Sequence, residues 1–438
     1  MNKIIKETQK DFDKKINALI ENRVFIDVGV EKSVDKIIKK VREESDKAII
    51  DYTRKFDFNS VKTIKQLKVS PKELSNASKQ VSIDVKKALS KAYKRIIAFH
   101  KKQLPQNIFY KDSLGVKLGY KWNPISAVGL YVPGGLASYP SSVIMNAVPA
   151  IVAKVKRIVM VCPAPRGKIN PAVLYVAQML NINEIYKIGG AQAIAALAYG
   201  SESIQKVDKI FGPGNSYVAC AKKKVFGDVG VDMVAGPSEI LVVADKNNNP
   251  GHIAIDLLSQ AEHDKMAQSI LITDCETFGR DVLKNINKEL KILQRRKIAS
   301  HSWKNFGSII IIKNINESYK LINKIAPEHL EISFKKAKKM LDKIDNAGAI
   351  FLGKYSPEAI GDYIAGPNHV LPTSRTARFS SGLNVLDFMK KTSIVECNKS
   401  NFQKIGNQAL ILALEEGLEA HAKSIEKRLI KKWLFIMY

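Results

Sequence analysis

The strongest constraint on the fold of this chain is a repeated order of short apolar strand, glycine-containing turn and apolar helix. A strand predicted at residues 127–132 leads into Pro133-Gly134-Gly135 and a helix that opens at Ser141-Ser142. The order recurs with turns at Gly189-Gly190 and at Gly212-Pro213-Gly214-Asn215. This alternation predicts βαβ units in a parallel, doubly wound sheet. Glycine at these turns lets backbone amides approach a ligand, which favours an anion at the carboxyl ends of the strands.

A second α/β block follows later in the chain. Predicted strands at residues 240–244, 269–273, 308–312 and 348–352 are separated by helical patterns, one of which starts at Asn249-Pro250. We therefore expect two parallel-sheet blocks in one chain.

The flanking segments look different. The spacing of apolar residues predicts one amphipathic helix at residues 1–26. The long charged segment that follows also has apolar residues at helical spacing, with a candidate strand at residues 61–69. Beyond about Gly382 we predict no strong strand, a helix at 407–423, and an unusually apolar tail at 434–438 whose role stays open.

Composition excludes several classes of protein. The chain has 438 residues, 45% of them apolar, and no apolar run approaches the roughly 20 residues that span a bilayer. We also see no secretory signal at the amino terminus and expect no membrane partner. The four cysteines are scattered without a C-x-x-C pair, which predicts a reducing, cytoplasmic location. They are Cys162, Cys220, Cys275 and Cys397.

The net charge of +28 comes mostly from lysines spread along the chain. No basic region with interleaved aromatic residues is present, and no helix-turn-helix or zinc-finger spacing, so we predict no nucleic-acid partner. The pattern fits compositional drift on a solvated surface. Self-repulsion of this charge is expected to lower stability.

One helical stretch combines an amide and an imidazole. Gln260 and His263 are three residues apart in the helix predicted after Asn249, so they share a face, and Asp256 lies one turn earlier. They suit two ligands of a metal or substrate. A solvated helix face is the alternative, because a complete metal signature is absent.

Two further segments place acids beside histidines. Glu328 and His329 are adjacent after Pro327, at a predicted strand-to-helix junction, and suit a general acid–base pair. A capping Glu beside a packed His is the alternative. Asp362 precedes a glycine-proline loop, and His421 lies far along the chain. With Gln260 and His263, these two residues offer a set of nitrogen and oxygen ligands that suits Zn²⁺.

Two other chemistries find little support. None of the cysteines lies near a histidine in sequence, so we interpret them as packing residues and not as nucleophiles. The turn Gly212-Pro213-Gly214 breaks the G-x-G-x-x-G pattern, so the residues alone permit a nucleotide without specifying NAD.

Taken together, these motifs resemble the histidinol dehydrogenase family over nearly the whole chain. The stretches with this resemblance include Tyr131-Val-Pro-Gly-Gly, Gly189-Gly-Ala-Gln, Lys209-Ile-Phe-Gly-Pro-Gly-Asn, Ala235-Gly-Pro-Ser-Glu, Leu258-Ser-Gln-Ala-Glu-His, Ala326-Pro-Glu-His-Leu and Gly361-Asp-Tyr. The resemblance implies a zinc- and NAD-dependent enzyme of histidine biosynthesis. Such an enzyme oxidises L-histidinol to L-histidine in two hydride transfers, through L-histidinaldehyde.

The resemblance also implies roles for individual residues. One Zn²⁺ per subunit would be bound by Gln260, His263, Asp362 and His421. His329 would take the alcohol proton, and Glu328 would activate the water that hydrates the aldehyde. The implied NAD contacts are Tyr131, Gln192 and Asn215. The implied substrate contacts are Ser238, Gln260, His263, His329, Asp362, Glu416 and His421.

The same resemblance implies a homodimer with shared active sites, in which Glu416 and His421 come from the partner subunit. The expected fold class is α/β, with two Rossmann-like doubly wound domains, a helical amino-terminal segment and a carboxyl-terminal dimerisation arm. The predicted boundaries are 1–26 for the helical segment, 27–130 with 239–382 for the first α/β domain, 131–238 for an inserted NAD-binding domain, and 383–438 for the arm.

Two other functions stay open from the sequence. A zinc hydrolase would use Glu328 to activate water, and a basic nucleic-acid-binding protein would use the positive charge. Reduction of NAD⁺ in the presence of histidinol separates the dehydrogenase from both.

Overall fold

The computed structural model describes residues 3–21, 28–58, 60–134, 139–233 and 236–430. The predicted tail at 434–438 lies outside this range, as do Gly135 and Ala235 of the motifs above. The described residues form two compact units. Unit 1 draws on Met1–Gln103 and Ile125–Phe388, and unit 2 on Leu104–Pro124 and Met389–Tyr438.

The described strands are β1 Ile4–Lys6, β2 Ile108–Lys111, β3 Lys117–Pro124, β4 Ala127–Tyr131, β5 Arg157–Val161, β6 Glu184–Tyr186, β7 Lys209–Phe211, β8 Gly230–Val231, β9 Glu239–Ala244, β10 Gln268–Thr273, β11 Ser308–Ile311, β12 His329–Ser333, β13 Ala349–Leu352 and β14 Met389–Glu396. The described α-helices are α1 Phe12–Glu21, α2 Val28–Glu44, α3 Asp46–Phe56, α4 Ile64–Leu67, α5 Pro71–Gln80, α6 Ile83–Lys101, α7 Pro140–Val152, α8 Pro171–Met179, α9 Gly190–Tyr199, α10 Ser216–Val225, α11 Pro250–Ala261, α12 Glu276–Glu289, α13 Arg296–Phe306, α14 Tyr319–Ile325, α15 Glu358–Tyr363, α16 Lys399–Glu415 and α17 Glu419–Glu426.

Unit 1 contains a five-stranded parallel sheet in the order β6-β5-β4-β7-β8. The chain adds β5 and β6 on one side of β4 and then crosses to add β7 and β8 on the other. The boundary between β4 and β7 is therefore a topological switch point, where open α/β sheets bind ligands. The glycine turns predicted after residues 188 and 211 follow β6 and β7, as expected.

The second sheet of unit 1 has six parallel strands in the order β1-β11-β10-β9-β12-β13. Every residue of β9 and β10 is buried, as expected for central strands covered on both faces. Alternate residues of β9 enter different cores: Ile240 and Val242 pack on one face with α11, and Leu241 and Val243 on the other. Helix α11 is fixed by its apolar side against this sheet.

The amino-terminal prediction is wrong in part. Residues 1–26 do not form one helix, since β1 pairs with β11 before α1 begins. The apolar side chain of Ile4 is buried against the sheet, which a solvated helix would not allow. The candidate strand at 61–69 is also wrong: it holds the short helix α4 and a single bridge at Lys68.

Unit 2 contains the antiparallel sheet β14-β3-β2 and the helices α16 and α17. Strand β14 was not predicted, because none of its residues is buried and its lysines hide the apolar pattern. The single helix predicted at 407–423 is two helices, separated at Gly417, whose φ of 71° is unfavourable for residues other than glycine.

The predicted domain boundaries stay a prediction. One core joins α2 and α3 to the five-stranded sheet and its helices α9 and α10. We propose assigning α2 and α3 to the inserted domain, although the predicted boundaries place them in the first α/β domain.

In the part of the chain that the structure describes, no helix is long and apolar enough to cross a membrane.

Candidate active site

Helix α11 begins as predicted. The Asn249 side chain accepts a hydrogen bond from the Gly251 amide at 2.8 Å and caps the helix. Gln260 is buried in its last turn. Its amide nitrogen donates to both carboxylate oxygens of Glu358, at 3.0 Å to Oε2. This orientation turns the Gln260 oxygen away from the Glu358 carboxyl group.

His263 is not on α11, contrary to the prediction. The helix ends at Ala261, and the His263 backbone amide donates to the Gln260 carbonyl at 3.1 Å in the following turn. Desolvation lowers the pKa of His263, and the Asp362 charge opposes this shift. The two predicted ligands therefore come from a helix end and the turn after it, and His263 faces the same acidic group as His329.

Glu328 and His329 also lie at a different junction from the one predicted. His329 is the first residue of β12, so the pair enters a strand and does not leave one. Glu239, the first residue of the neighbouring strand β9, accepts a hydrogen bond from His329 Nδ1 through its carbonyl oxygen at 3.0 Å. Glu328 and His329 thus lie at the amino-terminal edge of the six-stranded sheet.

Glu328 is buried beside His329. Its Oε2 accepts a hydrogen bond from the Glu239 backbone amide at 2.8 Å and lies 3.6 Å from His329 Nδ1. Burial raises the pKa of Glu328 to about 7, although His329 and the Glu239 amide both act to lower it. A carboxyl group with this pKa can take up and release a proton near neutral pH.

One ring nitrogen of His329 makes a hydrogen bond and the other makes none with the described residues. Nδ1 donates to a backbone carbonyl, whereas the buried Nε2 has no hydrogen-bond partner among the residues described. Nε2 lies 3.7 Å from Asp362 Oδ1, which is too long for a hydrogen bond. Desolvation lowers the pKa of His329, but the charges of Glu358, Glu328 and Asp362 outweigh it and hold that pKa well above its ordinary value.

Helix α15 supplies two acids to this group. Glu358 and Asp362 are four residues apart and so lie on one face. Single ligand atoms of His329, Glu358 and Asp362 lie within 4.8 Å of one another, close enough to hold a metal ion. Glu358 was not among the predicted site residues, and its spacing from Asp362 was the signal that could have found it.

His369 is a second residue that the sequence did not assign. Its Nδ1 donates to the Asp362 carbonyl at 2.9 Å, and its Nε2 lies 3.4 Å from Ser142 Oγ. His369 therefore fixes the backbone of the residue whose carboxylate faces His329. Desolvation lowers the pKa of His369 despite the nearby Asp362 charge.

A cavity of about 400 Å³ opens onto this group. Its lining includes His329, Phe351, Asp362 and His369. The predicted substrate contact Ser238 directly precedes β9, at the same edge of the sheet as Glu328. The acid–base pair, two candidate metal ligands and this cavity are thus adjacent, which suits a small polar substrate.

The three predicted cofactor residues lie near the carboxyl ends of the five-stranded sheet. Tyr131 ends β4, and its hydroxyl accepts a hydrogen bond from the Gly190 amide at 3.2 Å. Asn215 follows β7 and caps α10, accepting from the Tyr217 and Val218 amides at 3.1 Å each. Gln192 is buried in the first turn of α9. Tyr131 and Asn215 therefore flank the switch point between β4 and β7.

Glu416 and His421 are the two predicted site residues in the carboxyl-terminal part of the chain. Both belong to unit 2, where Glu416 caps the end of α16 and His421 lies in α17. Both side chains are exposed.

The described residues fit a divalent metal ion. The Asp362 charge acts to raise the pKa of His263, so these two groups lie close together, and the Gln260 oxygen lies on the side of its amide away from Glu358. Imidazole nitrogen, carboxylate oxygen and amide oxygen are donors that suit Zn²⁺. The compact triad differs from the predicted ligand set, since it shares only Asp362 with it.

Fold and site together define an α/β enzyme with a buried glutamate–histidine pair on one parallel sheet and a topological switch point on another. A family model described as histidinol dehydrogenase matches residues 22–429. Histidinol dehydrogenase 1 from Nostoc sp. is 52% identical over 426 residues, covering 97% of this chain and 98% of the relative. Histidinol dehydrogenase from Brucella abortus is 50% identical over 425 residues, covering 97% and 99%.

A crystal structure agrees with these sequence matches. Histidinol dehydrogenase from Elizabethkingia anophelis aligns with a TM-score of 0.92 at 37% identity, over 97% of each chain. The chain belongs to the histidinol dehydrogenase family.

Proposed function

We propose that this chain oxidises L-histidinol to L-histidine through L-histidinaldehyde, with two molecules of NAD⁺ as hydride acceptors, at the end of histidine biosynthesis. The observation that supports this most directly is His329, which lines a cavity, has a buried Nε2 without a hydrogen-bond partner among the described residues, and lies beside a carboxyl group with a pKa of about 7. An alcohol oxidation needs a base for the hydroxyl proton, and the second step needs a water-activating group.

His329 is the base of the first step. The base is the neutral imidazole, in which Nδ1–H donates to the Glu239 carbonyl and Nε2 keeps its lone pair. Because the surrounding carboxylates raise the pKa of His329, this form is populated only as the pH rises toward that raised value. The hydroxyl proton of histidinol passes to Nε2 while the carbinol hydride passes to NAD⁺. The surrounding carboxylates stabilise the imidazolium that results, because they favour the charged form of His329.

Glu328 acts in the second step. It removes a proton from the water that adds to the aldehyde carbon, and the hydrate then loses its hydride to a second NAD⁺. Its pKa of about 7 means that the carboxylate form is available near neutral pH. Cys162 and Cys220 are not proposed as nucleophiles, because both are buried and burial raises the pKa of Cys162 to about 12.

The proposed zinc ligands are Gln260, His263 and Asp362 from one subunit and His421 from its partner, with one ion per subunit. When bound, Zn²⁺ would orient the imidazole and amine of the substrate. NAD would contact Tyr131, Gln192 and Asn215. Substrate contacts are proposed for Ser238, Gln260, His263, His329, Asp362, Glu416 and His421. A cytoplasmic location is consistent with four unpaired cysteines.

The direct test is NADH absorbance after histidinol and NAD⁺ are added to zinc-loaded protein, with and without a chelator. Two NADH per histidinol are expected, and the chelator should abolish the signal. No NADH with zinc present would exclude this function and favour the hydrolase alternative.

A homodimer with shared sites is part of the proposal. Unit 2 exposes large apolar side chains, which mark an interaction surface. They include Val395, Ile411, Leu412, Leu414 and Leu418. A second subunit would cover these residues and place its Glu416 and His421 in the first subunit's site.

Two inactive variants test the shared site. His421→Ala should lose zinc, whereas His329→Ala should keep zinc and lose about 100-fold or more in turnover. Mixing them should restore part of the activity, because one site of the mixed dimer has both histidines. Unchanged inactivity after confirmed subunit exchange would contradict the shared site, and retained zinc in His421→Ala would remove that residue as a ligand.

A further inference from the structure

A buried ion pair lies behind the proposed cofactor site. Lys222 on α10 bonds to Asp232, which follows β8, and only 2% of each side chain is exposed. The lysine Nζ also donates to the Gly212 carbonyl at 3.0 Å. Most lysines of this chain lie on solvated surface, so a fully buried one needs a structural reason.

The ion pair binds both backbone groups of one residue. While Lys222 donates to the Gly212 carbonyl, Asp232 Oδ2 accepts from the Gly212 amide at 2.8 Å. Gly212 has a φ of 107°, and a Cβ there would lie 2.0 Å from the Tyr131 carbonyl oxygen. The turn after β7 is therefore fixed by hydrogen bonds to two side chains of opposite charge, and it packs directly against the end of β4.

This turn determines where Asn215 lies. Residues 212–215 connect β7 to α10, and Asn215 caps that helix. The turn faces Tyr131 across the switch point. A buried ion pair contributes little net stability, because desolvation offsets the attraction between the charges. Its main effect here is geometric, since its hydrogen bonds fix one backbone unit in a conformation that only glycine adopts readily.

We propose that Lys222 and Asp232 are positioning residues for the dinucleotide, which preform the 212–215 turn so that Asn215 and Tyr131 are aligned before NAD binds. This inference rests on the proposed NAD site. Neither residue is assigned a contact with the cofactor.

Lys222→Met tests the inference, and Lys224→Met is the matched control. Lys224 is on the same helix and pairs with Asp35 at the surface, with 27% and 60% of the two side chains exposed. We expect Lys222→Met to weaken NADH binding, measured by fluorescence titration, by roughly tenfold or more, because a small misplacement of binding groups costs this much. KM for NAD⁺ should rise in parallel, while KM for histidinol and zinc content stay unchanged. Lys224→Met should match the wild type.

The opposite results distinguish failure of the positioning role from failure of the proposed function. Wild-type NADH affinity in a folded Lys222→Met enzyme would overturn the positioning role and leave the proposed function intact. An equal rise in both KM values, with loss of zinc, would also overturn it, because it would indicate general destabilisation. Failure of the wild-type enzyme to bind NADH would instead remove the proposed function and this inference with it.

A second measurement does not depend on the variant folding. Hydrogen exchange of the wild-type enzyme can follow the Gly212 amide, which donates a hydrogen bond to Asp232 Oδ2. If the turn is preformed, this amide is strongly protected without cofactor, and adding NAD⁺ increases the protection little. Free exchange that stops only when NAD⁺ is added would overturn the proposal, since the cofactor would then be what orders the turn.

Discussion

Glu358 links two groups that the proposed chemistry needs. Its carboxylate accepts from the Gln260 amide, and its Oε1 lies 3.7 Å from His329 Nδ1. Its own backbone amide donates to Glu331 Oε1 at 2.6 Å. Residues that orient metal ligands affect metal binding nearly as much as the ligands themselves. Glu358 therefore fixes the orientation of the Gln260 amide, and with it the position of the oxygen that is the proposed zinc ligand.

Glu358→Ala should weaken zinc binding about 10- to 100-fold, because the buried Gln260 amide loses the acceptor that fixes its orientation. Glu358→Gln, which keeps one acceptor oxygen, should lose less. Competition with a chromophoric chelator measures both affinities. Glu331→Gln is the control, since its oxygen still accepts from the Glu358 amide, and its zinc affinity should be that of the wild type. Equal affinities for all of these proteins would contradict the orienting role.

Glu331 should make stability depend on pH. Burial raises its pKa to about 8, and the charge of Asp256 adds to the shift. Its ordinary value in an unfolded chain is about 4.3. The folded protein therefore binds this proton more tightly, and its stabilising effect is lost as pH rises from about 4.3 through about 8.

Between about pH 6 and about pH 9, the wild type should lose on the order of 2 kcal/mol more stability than Glu331→Gln, which has no proton to release. Urea unfolding of both zinc-loaded proteins at the two pH values measures this difference. Parallel losses in the two proteins would show that Glu331 does not hold its proton in the folded state.

At the scale of elements, Gly212 in the turn after β7 can be compared with Gly227, which follows α10. Gly212 and Gly227 have nearly the same φ, 107° and 109°. An added Cβ at Gly212 meets backbone of Tyr131, whereas at Gly227 it meets nothing within 4 Å. Both substitutions therefore place an alanine at a similar positive φ, but only one displaces a neighbouring strand end.

Gly227→Ala should cost about 1–2 kcal/mol in unfolding free energy, because alanine is strained at a positive φ, and it should leave NADH affinity unchanged. Gly212→Ala should cost clearly more and also weaken NADH binding, because the turn must move away from Tyr131. Thermal unfolding and NADH titration of both variants measure the two effects. Equal stability and equal NADH affinity in the two variants would contradict the close packing of this turn.

The same elements show which parts of the structure the sequence can predict. Strands that are followed by glycine turns were located correctly, because both the apolar run and the turn are local signals. The position of His329 was wrong, since a short apolar run after a proline does not show whether a strand starts or ends there. Strand β14 was missed because its partner β3 is distant in sequence and its own residues are not buried.

In the candidate site too, the sequence pointed to some residues and missed others. Asp362 and the pair Glu328-His329 lie in segments with distinctive local chemistry, and the family resemblance pointed to them. Glu358 and His369 act through tertiary contacts, an amide on α11 and a backbone carbonyl on α15. Only the folded chain brings these groups together, so no local pattern assigns their partners.

For the whole molecule, the net charge of +28 is the property that the fold does not explain. Lysines are distributed over the solvated faces of many helices, and three on α6, Lys87, Lys91 and Lys94, are exposed and adjacent on its surface. Like charges within about 10 Å of each other repel, and this repulsion is screened at about 0.1 M salt. The folded state concentrates the charge more than the unfolded chain, so it gains more from screening.

The unfolding midpoint of the wild type should therefore rise when NaCl increases from about 0.01 M to about 0.15 M, a range in which screening changes strongly. Replacing Lys87, Lys91 and Lys94 by Glu lowers the net charge by six and should raise the midpoint at low salt while reducing its salt dependence. Replacement of the same three lysines by Arg keeps the charge and should preserve the wild-type dependence. A wild-type midpoint that does not rise with salt would contradict self-repulsion, and an equal salt dependence of all three proteins would place its source away from α6.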